Sequence, residues 1–323
     1  MSGTTVLMAG TTGAGLQDHQ SAMWAPRLAA AGLVPTAVWS PPDQSAPAAD
    51  AAERLARSLD VPLSREESAP VGAAQAVVAC LRGRRRAQLL AEVSSGTAVL
   101  VDKPTLDPTA DLEHQLDGTG ALLLSGHHFA AHPSFTRVAA AVRDGEPGLL
   151  RAVMVDLVVA AGDGASPEGD LRNIGVHAVD LVQRLTGPTT IRIGTADLAD
   201  DRVTFLGQTD RDVVVSVHVS RTSSGAGTLL ARTRIVGSHG HLDVDLTGPA
   251  LTLRTAEGTR AVGYGADSVT ARLCQLREMA MGRRPGESPA SWLALAQTLD
   301  AVAASAERRE AVVAGAEDVR RER

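Results

Sequence analysis

Aromatic side chains are nearly absent from this chain of 323 residues, which holds three Trp, one Tyr and three Phe. Its core must therefore be aliphatic, filled by Ala, Val, Leu and Gly. Cysteine is limited to Cys80 and Cys274, too few and too widely spaced for a disulfide framework or a cysteine metal site. A basic excess is also missing: 31 Lys and Arg stand against 37 Asp and Glu, for a net charge of −6. A general nucleic-acid binder shows the opposite balance, so that class is set aside. No apolar run approaches the roughly 18 residues that suggest a membrane span. The opening "MSGTTVLMAG" lacks the basic region and long apolar run of a signal peptide, and the expected location is the cytoplasm.

What the sequence does contain is the composition of a globular protein, with 44% hydrophobic and 21% charged residues. Its length is generous for one domain and comfortable for two. From Thr4 to Gly126 short apolar runs alternate with helical stretches. "TTVLMAG", "PTAVWS", "AQAVVACL", "AVLVDKP" and "ALLLSG" read as strands, with helices expected over 17–31, 49–59 and 85–94 between them. Such alternation predicts a parallel sheet covered on both faces. Beyond Gly126 the rhythm changes. A helix over 134–144 leads into "LLRAVMVDLVV", and after a further helix come "TIRIGTADLA", "RVTFLG", "DVVVSVHVSR", "TLLARTRIVG", "HLDVDLTG" and "ALTLRTA". Their alternating polarity predicts a largely antiparallel sheet with one wet face. Two helices, 268–281 and 288–308, close the chain. The expected fold is thus α/β: a Rossmann domain over 1–124, then an α+β domain over 125–323 with a large, mainly antiparallel open sheet.

The first strand ends in "AGTTGAG". Glycine lets a backbone approach a pyrophosphate, and a helix N-terminus directly after it supplies free N–H groups. Gly10 matches the first glycine of the dinucleotide fingerprint, while Thr12 takes the place of the second. The loop reads equally as a phosphate cradle or an ordinary glycine-rich turn. At the end of the second strand NAD-binding folds carry an acid for the ribose hydroxyls; here Ser40 stands there, with two prolines and Asp43 after it. A small neutral residue leaves room for a 2′-phosphate, which favours NADP over NAD, although no arginine comes directly after it. "LRGRRR" stands after a third strand. Arg82 at the strand end is a candidate for the cofactor crevice, whereas Arg84, Arg85 and Arg86 read as a solvated start of the next helix. "HHFAAH" brings together His127, His128 and His132 with no further ligand at a sensible spacing, so no metal is expected.

In "NIGVHAVDLV" three polar residues interrupt an apolar run. On an α-helix Asn173, His177 and Asp180 fall at i, i+4 and i+7, on one face. By residue type alone His177 is either a satisfied core histidine or a base, and Asp180 either a helix-face acid or a site residue.

At "VLVDKP" and "NIGVHAVD" the chain resembles the Gfo/Idh/MocA oxidoreductases, which include glucose–fructose oxidoreductase and inositol dehydrogenases. Asp102-Lys103-Pro104 is similar to the family's Glu-Lys-Pro strand end. Asn173-x-Gly175-x-His177-x-x-Asp180 is similar to its Asp-x-Gly-x-His-x-x-Asp helix. "AAAVRDGEPGLLRAVMVDL", "IVGSHGHLDVDL" and the closing helices extend the resemblance over nearly the whole chain. It implies hydride transfer between NAD(P) and a carbinol carbon of a sugar, cyclitol or related polyol. It also implies a homo-oligomer formed through the C-terminal sheet. Carried over, Lys103 binds the reacting oxygen beside the nicotinamide, His177 transfers the proton, Asn173 occupies the place of an active-site aspartate and Asp180 contacts substrate. The implied cofactor-binding set is Gly10, Thr11, Thr12, Gly13, Ser40, Leu81, Arg82, Asp102 and Lys103. The chemistry is consistent: imidazole exchanges a proton near neutrality, and an ammonium stabilises developing alkoxide charge.

The chain also departs from the pattern. Asp102 replaces Glu, and Asn173 replaces an acid, so the residue before His177 can hydrogen-bond but carries no charge. These departures keep a second reading open, a relative that retains the fold and binds a nucleotide or sugar without redox turnover. The identity of the substrate is not legible, because it rests on pocket loops such as 158–173.

Overall fold

The computed structural model describes residues 3–11, 19–160, 171–187, 189–222, 228–247, 251–255, 258–263 and 267–314. The chain divides into two compact units. One comprises Met1–Thr136 with Gly248–Pro289, the other Arg137–Thr247 with Ala290–Arg323.

In the first unit the apolar runs become strands β1 (Thr4–Ala9), β2 (Leu33–Trp39), β3 (Leu63–Ser64), β4 (Ala76–Ala79), β5 (Ala98–Val101) and β6 (Leu122–Ser125). They form a parallel sheet of order β3-β2-β1-β4-β5-β6. β4 and β5 are buried at every residue, as strands covered on both faces must be. Helices α1 (Ala46–Leu59), α2 (Gly83–Glu92) and α3 (Thr109–Leu116) come after β2, β4 and β5. α1 is alanine-rich, with Pro47 in its first turn, and buries Ala48, Ala51, Ala52, Leu55 and Ala56. α3 is a helix that the apolar spacing of the sequence does not announce.

The helix expected over 17–31 is different. Residues 12–18 lie outside the described part. From Gln20 to Trp24 the chain forms a π-helical turn, and from Ala25 to Arg27 a 3₁₀ turn. Pro26 accounts for the break, since its ring and missing N–H stop an α-helix from running through.

The second unit holds β7 (Leu150–Ala160), β8 (Ile191–Ala199), β9 (Arg202–Thr209), β10 (Val214–Thr222), β11 (Thr228–Gly237), β12 (His241–Asp245) and the short β15 (Val312–Val313). Their order is β12-β11-β7-β10-β9-β8-β15, and β7 with β10 is the parallel pair in an otherwise antiparallel sheet. One face buries Val153, Val155, Leu157, Val203, Phe205, Val215, Val217 and Ile235. Helix α5 (Val176–Thr186) packs across β7 and β10 on that side. β13 (Leu251–Thr255) and β14 (Gly258–Gly263) make a separate hairpin. Helix α4 (Pro133–Arg143) contains the point where the chain passes between units, and α7 (Pro289–Arg308) ends the helical part.

The first unit is completed by sequence from far downstream. Helix α6 (Ser268–Ala280) contributes Val269, Leu273, Leu276 and Met279 to the core that contains Val6, Met8, Trp24 and Leu33. A split at 124/125 assigns α6 to the second domain; its apolar face instead belongs with the parallel sheet. The buried Arg272 fixes it there, donating to the Ser125 carbonyl at 2.7 Å, to Ser125 Oγ at 2.7 Å and to Glu287 Oε1 at 2.6 Å. No helix among the described residues is long and apolar enough to cross a membrane.

Candidate active site

Ligands of an open parallel sheet bind outside the carboxyl ends of its strands. In the first unit these ends carry Gly10 and Thr11, Ser40, Leu81 and Arg82, Asp102 and Lys103, and the segment from Ser125 to His128. Gly10 has φ +77°, and a Cβ there would lie 2.4 Å from Leu81 Cδ2 and 2.8 Å from the Cys80 carbonyl oxygen. Only glycine fits, and buried Leu81 forms the floor beneath it. Thr11 is buried and donates its hydroxyl to the Ala48 carbonyl at 2.6 Å, which anchors α1. Thr12 and Gly13 lie outside the described residues. Ser40 is buried and donates to Gln44 Oε1 at 2.9 Å. Nearby Asp43 accepts from Arg85 at 2.6 Å and pairs with Arg84 at 3.7 Å. The Arg85 hydrogen bond holds its carboxyl below the usual range.

The three arginines do not form a solvated run. Arg84 is exposed, Arg85 is mostly covered and Arg86 is fully buried. Arg86 sits in the first turn of α2, turned toward α3, where it donates to Gln115 Oε1 at 2.6 Å and Asp107 Oδ2 at 2.7 Å. It also donates to the carbonyl of Lys103 at 3.3 Å. Burial pushes its guanidinium down to about 10, against the attraction of Asp107. The inward turn reflects helical periodicity: the third residue of the cluster meets acceptors supplied by Asp107 and Gln115, which are distant in sequence. Arg82 stands at the N-cap of α2 in an extended conformation.

Asp102 is buried. Its Oδ1 accepts from Trp24 Nε1 at 2.9 Å, and its Oδ2 lies 2.8 Å from His19 Nδ1. Burial opposes its ionisation, yet the charge and hydrogen bond of His19, the charge of Lys103 and the Trp24 N–H hold its carboxyl below the ordinary range. The backbone is close here too, because a Cβ on Gly126 would lie 2.2 Å from the Asp102 carbonyl oxygen. Lys103 heads the 3₁₀ turn Pro104–Leu106. His128, half-buried, lies with Nδ1 2.8 Å from Ser268 Oγ of α6. Burial first, then the charges of Lys103 and His19, push its imidazole down to about 3, only partly offset by Asp102. Lys103, Asp102, His19 and His128 therefore form one electrostatic cluster at the ends of β5 and β6. Among the described residues no group of three His, Cys, Asp or Glu side chains could hold a metal.

In the second unit the opening of the polar helix is not α-helical. Leu171–Gly175 forms a π-helical turn and α5 starts at Val176. Asn173 thus stands in the middle of the π turn, and His177 is the second residue of the α-helix after it. Such turns recur at functional sites. His177 and Asp180, three apart, share one face of α5, and both are buried. Asp180 accepts from Arg184 Nε at 2.8 Å, one turn on. Gln183 reaches Thr298 Oγ1 of α7 at 3.2 Å, and Arg172 pairs with Asp300.

Sequence reasoning passed over His19, Gln20, Trp24 and Arg184, read Arg86 as solvated and weighed His128 only as a metal ligand. Only Arg184 carried a signal, standing four residues after an acid on a helix. The others acquire partners only through the sheet topology.

No protein-family model matches the sequence, and no curated protein matches it by sequence. Solved structures do match. A myo-inositol dehydrogenase from Corynebacterium glutamicum aligns at 20% identity and TM-score 0.71, over 98% of this chain and 100% of that one. A scyllo-inositol dehydrogenase from Lactobacillus casei, with bound NAD(H) and scyllo-inositol, aligns at 15% identity and TM-score 0.75, over 97% and 100%. A probable dehydrogenase from Thermotoga maritima aligns at 16% identity and TM-score 0.73, over 96% and 98%. The chain has the fold of these dehydrogenases. The resemblance to Gfo/Idh/MocA oxidoreductases thus holds for the architecture from end to end, with both sheets of this dehydrogenase fold in place.

Proposed function

We propose that the protein is an NAD(P)-dependent oxidoreductase acting on a CH–OH group of a sugar, cyclitol or related polyol. The observation that carries this reading is Lys103 at the carboxyl end of β5, in a cluster with Asp102, His19 and His128, within a dehydrogenase fold. The strand ends fit a dinucleotide. Gly10 adopts a backbone conformation that suits glycine, and Ser40 is short and neutral where NAD-specific folds carry an acid. The bound cofactor would supply the hydride chemistry. The residues supply the rest: the Lys103 ammonium stabilises a developing alkoxide, and the His177 imidazole takes and returns the hydroxyl proton. Asn173 and Asp180 hold substrate hydroxyls, with Arg184 orienting Asp180.

NADP is favoured over NAD. Ser40 leaves space for a 2′-phosphate, and the tertiary structure brings exposed Arg84 to Asp43, a few residues past Ser40. The second unit's sheet is proposed as a homo-oligomer interface, and the protein as cytoplasmic.

Calorimetric titration with NADH and NADPH tests the reading. Binding of at least one in the micromolar range is expected, NADPH more tightly. Lys103→Ala and His177→Ala should keep affinity within about threefold and lose at least about 100-fold in turnover, the scale of a lost acid–base group. Absence of binding by either dinucleotide at millimolar concentration sinks the proposal and leaves the non-redox reading.

A further inference from the structure

Between His19 and Arg27, in the first unit, the regular structure consists of two short turns. A five-residue π-helical turn and a three-residue 3₁₀ turn with Pro26 are too short to hold their own shape, because isolated helices of this length do not persist in water. Tertiary contacts must place them: Trp24 packs in the apolar core, and three side chains add polar contacts. Gln20, fully buried, donates to the carbonyls of Ala9 at 3.2 Å and Val78 at 2.8 Å. Trp24 donates its indole N–H to Asp102, and His19 lies against the other carboxylate oxygen. The acceptors sit at the carboxyl ends of three adjacent strands: Ala9 closes β1, Val78 is next to last in β4, and Asp102 stands directly after β5.

Asp102 spends both oxygens on this segment. An ionised carboxylate accepts and does not donate, so the His19 contact requires an imidazole N–H directed at Oδ2. Two side chains five residues apart thus converge on one carboxylate. The residue after that carboxylate is Lys103.

We propose that Asp102 is a positioning residue and not a cofactor ligand: its grip on His19 and Trp24 fixes the π-helical turn against the ends of β1, β4 and β5, so that dinucleotide affinity and the placement of Lys103 both depend on it. The proposal rests on the oxidoreductase reading above. It replaces the expectation that Asp102 itself touches the cofactor.

The test separates gripping from ligation through His19. If Asp102 were a ligand, His19→Gln would leave affinity unchanged. If it positions, His19→Gln reproduces the effect of Asp102→Asn. Both variants are titrated with NADPH and NADH by calorimetry, and the Trp24 indole N–H resonance, assigned with Trp24→Phe, is followed in protein without dinucleotide. In both variants the expected result is a shifted Trp24 resonance, a roughly tenfold weaker dissociation constant and a lower turnover number at saturating dinucleotide. Wild-type affinity in His19→Gln overturns the proposal, as does a Trp24 resonance that stays in place. Should Asp102→Asn fail to fold, His19→Gln carries the test, since His19 is partly exposed. A wild-type protein that binds neither dinucleotide overturns the oxidoreductase reading and, with it, the link to affinity. The grip itself is then decided by the resonance alone.

Discussion

At the scale of single residues, the charge states in the first unit are set by neighbours. Asp102 stays ionised in a buried place because His19, Lys103 and the Trp24 N–H outweigh the cost of burial. His128 stays neutral because burial, and after it the nearby Lys103 ammonium, disfavour its protonation. Its folded value near 3 lies below the unfolded value of about 6.5, so the unfolded chain binds more protons between those limits. The stability tied to a neutral His128 is therefore whole above pH of about 6.5 and is lost as pH falls through the window toward 3. His128→Gln removes that titration. Its melting temperature should decline less steeply than wild type as pH drops from 6.5 toward 3, and equal slopes by calorimetry would refute the assignment. The strand that ends before Lys103 and the helix that carries His177 were legible from their own apolar runs. His19 and His128 were not, since each matters only through a partner 83 or 140 residues away.

At the scale of elements, the strands of the first sheet could be read from continuous apolar runs, because burial on both faces leaves no polar positions. A helix was expected over 17–31, but its described part holds π and 3₁₀ turns around Pro26. The arginine run shows the same limit. A cluster of three charges reads as solvated, and only the packing of α2 against α3 reveals that Arg86 points inward. Arg86→Met leaves Asp107 buried without its ion pair, a loss that typically costs about 3–5 kcal/mol. Urea denaturation should show a destabilisation of that order for Arg86→Met and a smaller one for Arg86→Met combined with Asp107→Asn. A single variant within about 0.5 kcal/mol of wild type would show that this network is not structural. Because Arg86 also supports the Lys103 carbonyl, the same variant should lower turnover.

At the scale of the whole molecule, the second sheet has two unlike faces. One is covered by α5. The other presents Met154, Ser216 and Leu206 in one register row, with Val214 in the next. Met154, Leu206 and Val214 are 38%, 48% and 46% exposed, an apolar patch across three strands such as association surfaces carry. Arg234 and Asp243, paired at 2.7 Å, continue the Met154 row outward, giving a polar rim. Light scattering after size exclusion should report more than one chain per particle for wild type. Leu206→Arg, which sets a charge in the centre of the patch, should give single chains with an unchanged melting curve at dilute concentration. A monomeric wild type would remove the interface proposal.

The sequence by itself determined the layer architecture, the alternation that makes the first sheet parallel, and the strand and helix on which the proposed Lys103 and His177 lie. These arise from local rules: period, burial pattern and the chemistry of neighbouring residues along the chain. Only the tertiary structure decided that α6 belongs to the first unit, that Asp102 faces His19 and Trp24, that Arg86 is a core residue, and that Asn173 lies in a π turn. Each depends on which distant segments meet, and hydrogen-bond partners far apart in the chain leave no periodic trace in it.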